Sequence, residues 1–373
     1  MQKLRILILL LIIQIPGFFN GYGNVLVCVD TSKIYPDMFY EYRFAILAKK
    51  SPLELEYNPL VRKYIERYII EQPKETAKIL GLAKLYFPIF EYYLDKYDLP
   101  LELKYLSVVE SSLNPLAKSS SGAVGLWQFL YNSAGMFDLE ISSYVDERRD
   151  VFKSTDAACR YFKYLYQTFH DWHLVLAAYN GGPGVVRNAI ERSGGKTNLW
   201  EMLPYLPEQT QNYVPAFLAM NYIMTYAHEH NIEPTKPVFT YENIDTLQLN
   251  YSISFTQITE NIKISADQLR FLNPTYKLDI IPETTKKQLL ILPKNLVSDY
   301  LVYENSILST LGKTDTLSKH ARTHKTIYTV LRGDFLHKIA MKYNCSPADI
   351  REWNKLTSDF IAPGQALIIW TSE

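Results

Sequence analysis

Between residues 61 and 227 apolar side chains return at helical spacing, which sets the expected architecture. Val61, Tyr64, Ile65, Tyr68 and Ile69 make one stripe, and a second run over 79–93 is broken near Pro88. Leu99, Leu103, Leu106, Val109 and Leu113 make a third. They predict a helix over 100–114, with Pro100 in its first turn and Pro115 ending it. Further helices are expected over 156–169, over the apolar run from Leu174 that Gly181 and Gly182 close, and over 207–227. From residue 246 onward the pattern changes to short strands flanking paired short helices, twice over. A flexible connector rich in Ser, Thr and Lys lies between the two units at 298–324.

Glu110 stands against this pattern. It lies four residues after Leu106 and three before Leu113, so helical spacing puts a carboxylate inside an apolar stripe. If the carboxyl is desolvated there, its pKa rises and it can act as a general acid. If it leans to the edge, it is an ordinary solvated side chain. Periodicity allows both.

Composition narrows the classes. With 39 basic and 39 acidic residues, no strong field favours nucleic acid, and 373 residues allow two or three domains. The 29 Tyr and 17 Phe suit helix packing, which accounts for most of them, and also the walls of a sugar-binding groove. Lys3 and Arg5, the apolar stretch 6–13, then Pro16 and Gly17 read as a secretory signal over 1–23. That stretch is too short for an ordinary membrane span. Cys28 follows Leu26 and Val27, a poor lipid-attachment context, so export without a lipid anchor is expected and membrane association stays open. Three cysteines give no disulfide framework, and Cys159 and Cys345 read as small buried hydrophobes. His320 and His324 have metal-pair spacing but stand in the polar connector, where no metal site is expected.

Other segments could join Glu110. Ser119, Gly122, Ala123 and Gly125 allow backbone close to a ligand, and Trp127, Gln128 and Phe129 add a stacking face and an amide. Tyr179 and Asn180 end one apolar helix, and Tyr213-Val-Pro215 lies in the next. Asp138, Glu140, Asp146, Glu147 and Asp150 read as solvated loop charges. Taken in order, Glu110-Ser111, Ala117-x-Ser119-x-x-Gly122-Ala123, Gly125-Leu-Trp-Gln-Phe129, Ala178-Tyr-Asn180 and Glu208 with Tyr213-Val-Pro215 resemble the lytic murein transglycosylases of the goose-lysozyme-like superfamily. Within that superfamily the resemblance is greatest to the membrane-bound D group, and it covers roughly residues 96–230. One departure is the segment after the Trp-Gln pair. The family usually has Met-Pro-x-Thr there, whereas this chain has Leu130-Tyr-Asn-Ser133, so the adjoining subsite differs.

The resemblance implies a mainly α, lysozyme-like catalytic domain over 96–232, behind a helical region over 24–95. It implies cleavage of the β-1,4 bond between N-acetylmuramic acid and N-acetylglucosamine in peptidoglycan strands, with 1,6-anhydro ends as product. Most glycosidases place two carboxylates about 5 Å or about 6.5–9.5 Å apart. Here one acid, Glu110, is implied as both acid and base, with no metal or other cofactor. Ser119 and Gln128 are implied as substrate contacts, and Tyr179 and Asn180 as holding the substrate acetamido group or the Glu110 carboxyl. Tyr213 would point its hydroxyl into the same site, and Trp127 would line the sugar groove. The chain is expected to act as a monomer. A hydrolytic muramidase and a wall-binding protein with a degenerate catalytic domain remain as alternatives.

Residues 325–371 read as strand, helix, helix, strand, with Tyr328, Gly333-Asp334, Trp353-Asn354 and a closing strand up to residue 369. This βααβ pattern resembles a LysM module, which implies binding to N-acetylglucosamine polymers and a place in the periplasm or cell envelope. A weaker copy spans 246–294, where Leu269-Arg-Phe-Leu-Asn273 parallels Ile350-Arg-Glu-Trp-Asn354. It has Tyr251-Ser-Ile-Ser in place of the Gly-Asp turn, so the fold is expected and sugar binding is in question.

Overall fold

The computed structural model describes residues 34–284, 287–317, 324–331, 334, 336–343, 345 and 347–371. The expected secretory signal, Cys28 and His320 lie outside the described residues. Helices α1 (Asp37–Ala48), α2 (Pro59–Glu66) and α3 (Pro73–Lys96) lead to a 3₁₀ turn, Leu101–Tyr105, and to α4 (Leu106–Ser111). Then come α5 (Tyr131–Met136), α6 (Val151–Phe169), α7 (Trp172–Gly181), α8 (Pro183–Arg192), α9 (Leu199–Met202) and α10 (Glu208–Tyr226). Polar side chains start several of them. Asn58 caps α2, Asp150 accepts from the Phe152 and Lys153 amides at the start of α6, and Asp171 accepts from Leu174 in α7.

The centre is built from α7 and α10, which are apolar on nearly every side. His173 through Ala178 and Tyr213 through Ile223 are all buried. Such helices are stable only when wrapped by others; α2, α4 and α7 pack directly on α10, and α1 to α3 share this core. Cys159 is buried in the same core.

Two expected helices differ. α3 runs unbroken through Pro88, because Tyr86, Ile89 and Phe90 are buried around it and their packing outweighs one lost backbone hydrogen bond. The helix expected over 100–114 is instead the 3₁₀ turn followed by short α4, with Pro100 just ahead of it. The chain leaves α4 through Ser112 (φ 51°) and Leu113 (φ 60°), both left-handed, so it has turned before Pro115 can act. That turn tucks Leu113 fully into the core.

After α10 come β1 (Ile244–Leu249), β2 (Ile253–Ser254), α11 (Phe255–Asn261), α12 (Ala266–Leu272), β3 (Ile280–Ile281) and β4 (Gln288–Pro293). β1 pairs antiparallel with β4, and β2 with β3. Next come α13 (Lys294–Leu317), β5 (His324–Thr329), α14 (Leu336–Lys342), α15 (Pro347–Asn354) and β6 (Ala366–Thr371), with β5 antiparallel to β6. The internal repeat extends to individual hydrogen bonds. Asn273 Nδ2 donates to the Leu269 and Ile291 carbonyls, at 3.0 and 2.9 Å, and its Oδ1 accepts from the Ile291 amide at 2.7 Å. Asn354 does the same with Ile350 and Ile368, at 2.8, 2.7 and 2.7 Å. In each module this asparagine ties the second helix to the last strand.

The modules differ in what they pack against. The first shares one core with the helical domain, whereas the last has its own, around Leu336, Ile350, Leu367 and Ile369, with half-buried Cys345 against it. The expected flexible connector is helical as far as Leu317. α13 packs on the first module through Tyr300, fully buried, whose hydroxyl meets that of Tyr251 at 2.8 Å. Its apolar residues Leu296, Tyr300, Tyr303 and Ile307 have helical spacing that the polar composition masks.

Candidate active site

Glu110 sits in the last turn of α4, mounted on buried Leu103, Leu106 and Leu113. Ser111 Oγ, beside it, donates to the Ser107 carbonyl at 2.9 Å and the Leu126 carbonyl at 3.0 Å, which fixes α4 against the glycine-containing loop. Tyr213, 6% exposed on α10, donates its hydroxyl to Glu110 Oε1. Oε2 receives no hydrogen bond from the described residues. Burial pushes the Glu110 carboxyl up from its ordinary 4.5 to about 7, against the opposing pull of the Tyr213 hydrogen bond. No other charged group takes part in that shift among the described residues. Burial first, then the adjacent Glu110 charge, raises the Tyr179 and Tyr213 hydroxyls well above the usual tyrosine range, so both remain protonated donors.

Of the residues expected to surround Glu110, Tyr213 reaches its carboxyl and Tyr179 feels its charge, while the others make their hydrogen bonds with the protein itself. Tyr179 donates to the Trp127 carbonyl at 2.8 Å and stacks on Phe162 with ring centroids 5.0 Å apart. Asn180 Oδ1 accepts from Thr210 at 3.0 Å, which joins the end of α7 to the start of α10. Gln128 Nε2 donates to the Gly125 carbonyl at 2.9 Å and to that of Ala117 at 3.3 Å, from a left-handed backbone (φ 50°). Ser119 Oγ accepts from the Ala123 amide at 3.0 Å and meets Ser121 Oγ at 2.9 Å. Left-handed backbone occurs at three non-glycine residues of these segments, Ser112, Leu113 and Gln128. Strain of this kind persists only where the surroundings over-determine it.

Trp127 is not on a groove. It is fully buried, its Nε1 donates to Thr155 Oγ1 at 2.9 Å, and its ring lies 5.0 Å from Phe90. Its apolar area is better accommodated between α3 and α6 than in water. The acidic cluster also departs from expectation. Asp138 and Glu140 are exposed, but Asp146 and Glu147 are 3% and 6% exposed, and Asp150 caps α6. Arg148, 8% exposed, forks onto Asp146, with Nε to Oδ1 at 2.9 Å and NH2 to Oδ2 at 2.8 Å. Its NH1 donates to the carbonyls of Gly122 and Phe129, at 3.1 and 3.3 Å, clamping both ends of the loop that carries Gln128. Paired charges of this kind lose water and gain directional bonds together, which is why they can be buried. The sequence signal is the alternation Asp146-Glu-Arg-Arg-Asp150 directly before a helix. Gly125 is fixed by this clamp. Its φ is +89°, and a Cβ there would lie 1.9 Å from the Arg148 carbonyl oxygen.

Residues 87–200 match the family described as Transglycosylase SLT domain. Residues 243–308 match Lytic transglycosylase MltD, LysM-like domain, and residues 328–370 match LysM domain. The chain is 31% identical over 288 residues to the Membrane-bound lytic murein transglycosylase D of Escherichia coli K12, covering 74% of this chain. It spans 61% of that relative's length. It is 32% identical over 123 residues to the Soluble lytic murein transglycosylase of the same organism, covering 31% of this chain and 19% of that one. Among solved structures, the 70 kDa soluble lytic transglycosylase from Escherichia coli is 26% identical, with a TM-score of 0.33 over 42% of this chain and 27% of that one. The chain thus carries an SLT domain, an MltD-type LysM-like domain and a LysM domain. Tyr213, which holds the acid, lies beyond the matched SLT segment.

Proposed function

We propose that this chain is a peptidoglycan lytic transglycosylase that uses Glu110 as its single acid and base. The observation that carries the reading is a partly buried carboxyl whose desolvation lifts its pKa to about 7, held at one oxygen by Tyr213. A carboxyl poised near neutral pH is protonated often enough to donate and ionised easily enough to accept. Glu110 gives its proton through Oε2 to the glycosidic oxygen between N-acetylmuramic acid and N-acetylglucosamine. The substrate acetamido carbonyl stabilises the cationic anomeric centre. Glu110, now ionised, takes the proton of the muramyl C6 hydroxyl, whose oxygen closes the 1,6-anhydro ring. Tyr213 supports the ionised stage, because its hydroxyl donates to the carboxylate as charge appears.

Ser119, Gln128, Tyr179 and Asn180 serve this site by shaping the loop and helix ends around the bond to be cut, and by presenting their remaining polar atoms to the sugar. The names of the two murein transglycosylase relatives support this substrate. The LysM domain holds the enzyme on the glycan, raising its local concentration there. An envelope location follows from that substrate. No helix among the described residues is long and apolar enough to cross a membrane. Mass spectrometry of digested peptidoglycan tests the reaction: anhydromuramic ends are expected, and reducing ends would establish a hydrolase. A Glu110→Gln chain that releases as many muropeptides as wild type would defeat the assignment of the acid.

A further inference from the structure

The two βααβ modules use the same loop in opposite ways. In the last module the residues after Asn354 face outward, with Lys355, Thr357 and Ser358 exposed and Phe360 79% exposed. In the first, the equivalent residues after Asn273 lie on the helical domain. Val145 and Tyr276 form an antiparallel bridge, in which the Asp146 amide donates to the Thr275 carbonyl at 2.9 Å and the Lys277 amide to the Tyr144 carbonyl at 2.8 Å. Lys277 Nζ adds a bond to the Ser142 carbonyl at 2.8 Å. Beneath this seam an apolar gap is lined by Tyr86, Ile89 and Phe152 on one side and Ile244, Phe271 and Ile291 on the other. The contact therefore has both directional bonds and an apolar floor, and it belongs to the continuous core.

What the seam holds is the arm of the clamp. Asp146 donates its backbone amide to the module and accepts Arg148 on its carboxylate, and Arg148 grips the Gly122 and Phe129 carbonyls. We propose that the first LysM-like module is a positioning element of the active site. Its residues Thr275, Tyr276 and Lys277 lock Tyr144 to Asp146, and through Arg148 they hold the loop that carries Gln128 and whose Leu126 carbonyl takes Ser111, the neighbour of Glu110. Phe255 and Leu269, buried in the core that the module shares with the helical domain, then matter for catalysis without any glycan touching them.

Hydrogen exchange on the full chain tests this, comparing wild type, Lys277→Pro, which removes the amide donor and the Nζ bond, and Lys277→Arg, which keeps the amide and a cationic side-chain N–H donor. In Lys277→Pro the amides of Val124, Gly125 and Gln128, bonded to Phe129, Ala117 and Gly125 in wild type, are expected to exchange at least about tenfold faster. Amides at the centre of α7 keep wild-type rates, and Lys277→Arg stays within about twofold of wild type throughout. Unchanged loop exchange in a Lys277→Pro chain whose Asp146 amide has lost protection would overturn the proposal. Adding Arg148→Lys gives a second check. Effects on loop exchange that saturate mean one chain of contacts, and effects that multiply mean independent ones and refute it. If Lys277→Pro does not fold, Lys277→Ala carries the same comparison at about threefold.

Only the activity arm rests on the transglycosylase reading: release of anhydro products from soluble glycan strands is expected to fall about tenfold in Lys277→Pro and to return in Lys277→Arg. Loop exchange that responds in a chain releasing no such products would remove the reaction and support the positioning role.

Discussion

Replacing Glu110 with Gln should stabilise the protein, and only above the pH range where carboxylic acids usually ionise. The folded-state pKa of about 7 lies above the ordinary 4.5, so the native state binds this proton more tightly than the unfolded chain does. The stability this proton confers is complete below about pH 4.5 and is lost as pH rises through about 7. A shift of that size corresponds to about 3 kcal/mol by about pH 8, since each unit is worth about 1.4 kcal/mol. Gln has no proton to lose and avoids that cost, while its carbonyl can still accept from Tyr213. Its amide donors add an offset that does not vary with pH, so the slope, not the intercept, is diagnostic. Urea unfolding of both chains at several pH values between about 4 and 8 gives the difference, which should grow by about 2–3 kcal/mol in favour of Glu110→Gln. A difference that is flat across that range, or that shrinks with rising pH, would show that the carboxyl is not desolvated and would remove the basis for its acid role.

Three further outcomes follow from the same geometry. For wild type, kcat/KM should fall above about pH 7 as Glu110 ionises; in Tyr213→Phe, which removes the hydrogen bond that lowers this pKa, a pH-rate profile should place the descending limb at higher pH. Gly125→Ala should lose about 2–4 kcal/mol in thermal unfolding, because its Cβ would lie 1.9 Å from the Arg148 carbonyl oxygen with φ at +89°. Asn354→Ala removes three hydrogen bonds between α15 and β6 and should cost about 3 kcal/mol or more. Because the last module has a separate core, calorimetry should show its transition alone moving down, whereas Asn273→Ala should lower the transition of the shared core.

The apolar stripe was legible as a set of core residues, since Leu103, Leu106 and Leu113 are all buried, although Leu113 reaches the core by a left-handed turn and not by helical spacing. The limits of the helix that carries Glu110 were not, because left-handed turns at Ser112 and Leu113 have no glycine to announce them. Trp127 shows a different limit. A tryptophan beside a substrate motif has equal cause to stack on sugar or to fill a core, and only the placement of Phe90, Phe162 and Thr155 around it decides. The asparagine repeat at 273 and 354 was visible as a pattern, and its hydrogen bonds supply the reason. The burial of Asp146 and Arg148 was hidden because a charged run usually faces water. Its purpose depends on carbonyls of Gly122 and Phe129 that no side-chain pattern records.

The site is organised before any sugar arrives. Tyr179, Asn180, Ser119 and Gln128 each make a hydrogen bond to the protein, and the Arg148 side chain makes four, two to carbonyls of one loop and two to one aspartate. In the proposed reaction that leaves Glu110 Oε2 as the reactive atom, facing a frame that does not have to reorder when charge moves. Donors fixed in advance stabilise developing charge without reorganisation at the moment of reaction, which is where most electrostatic catalysis resides. A single carboxyl can serve in two proton transfers only if it stays in one place through both. The Tyr213 hydroxyl at Oε1, the Ser111 anchor on the Leu126 carbonyl and the clamped loop supply that constancy.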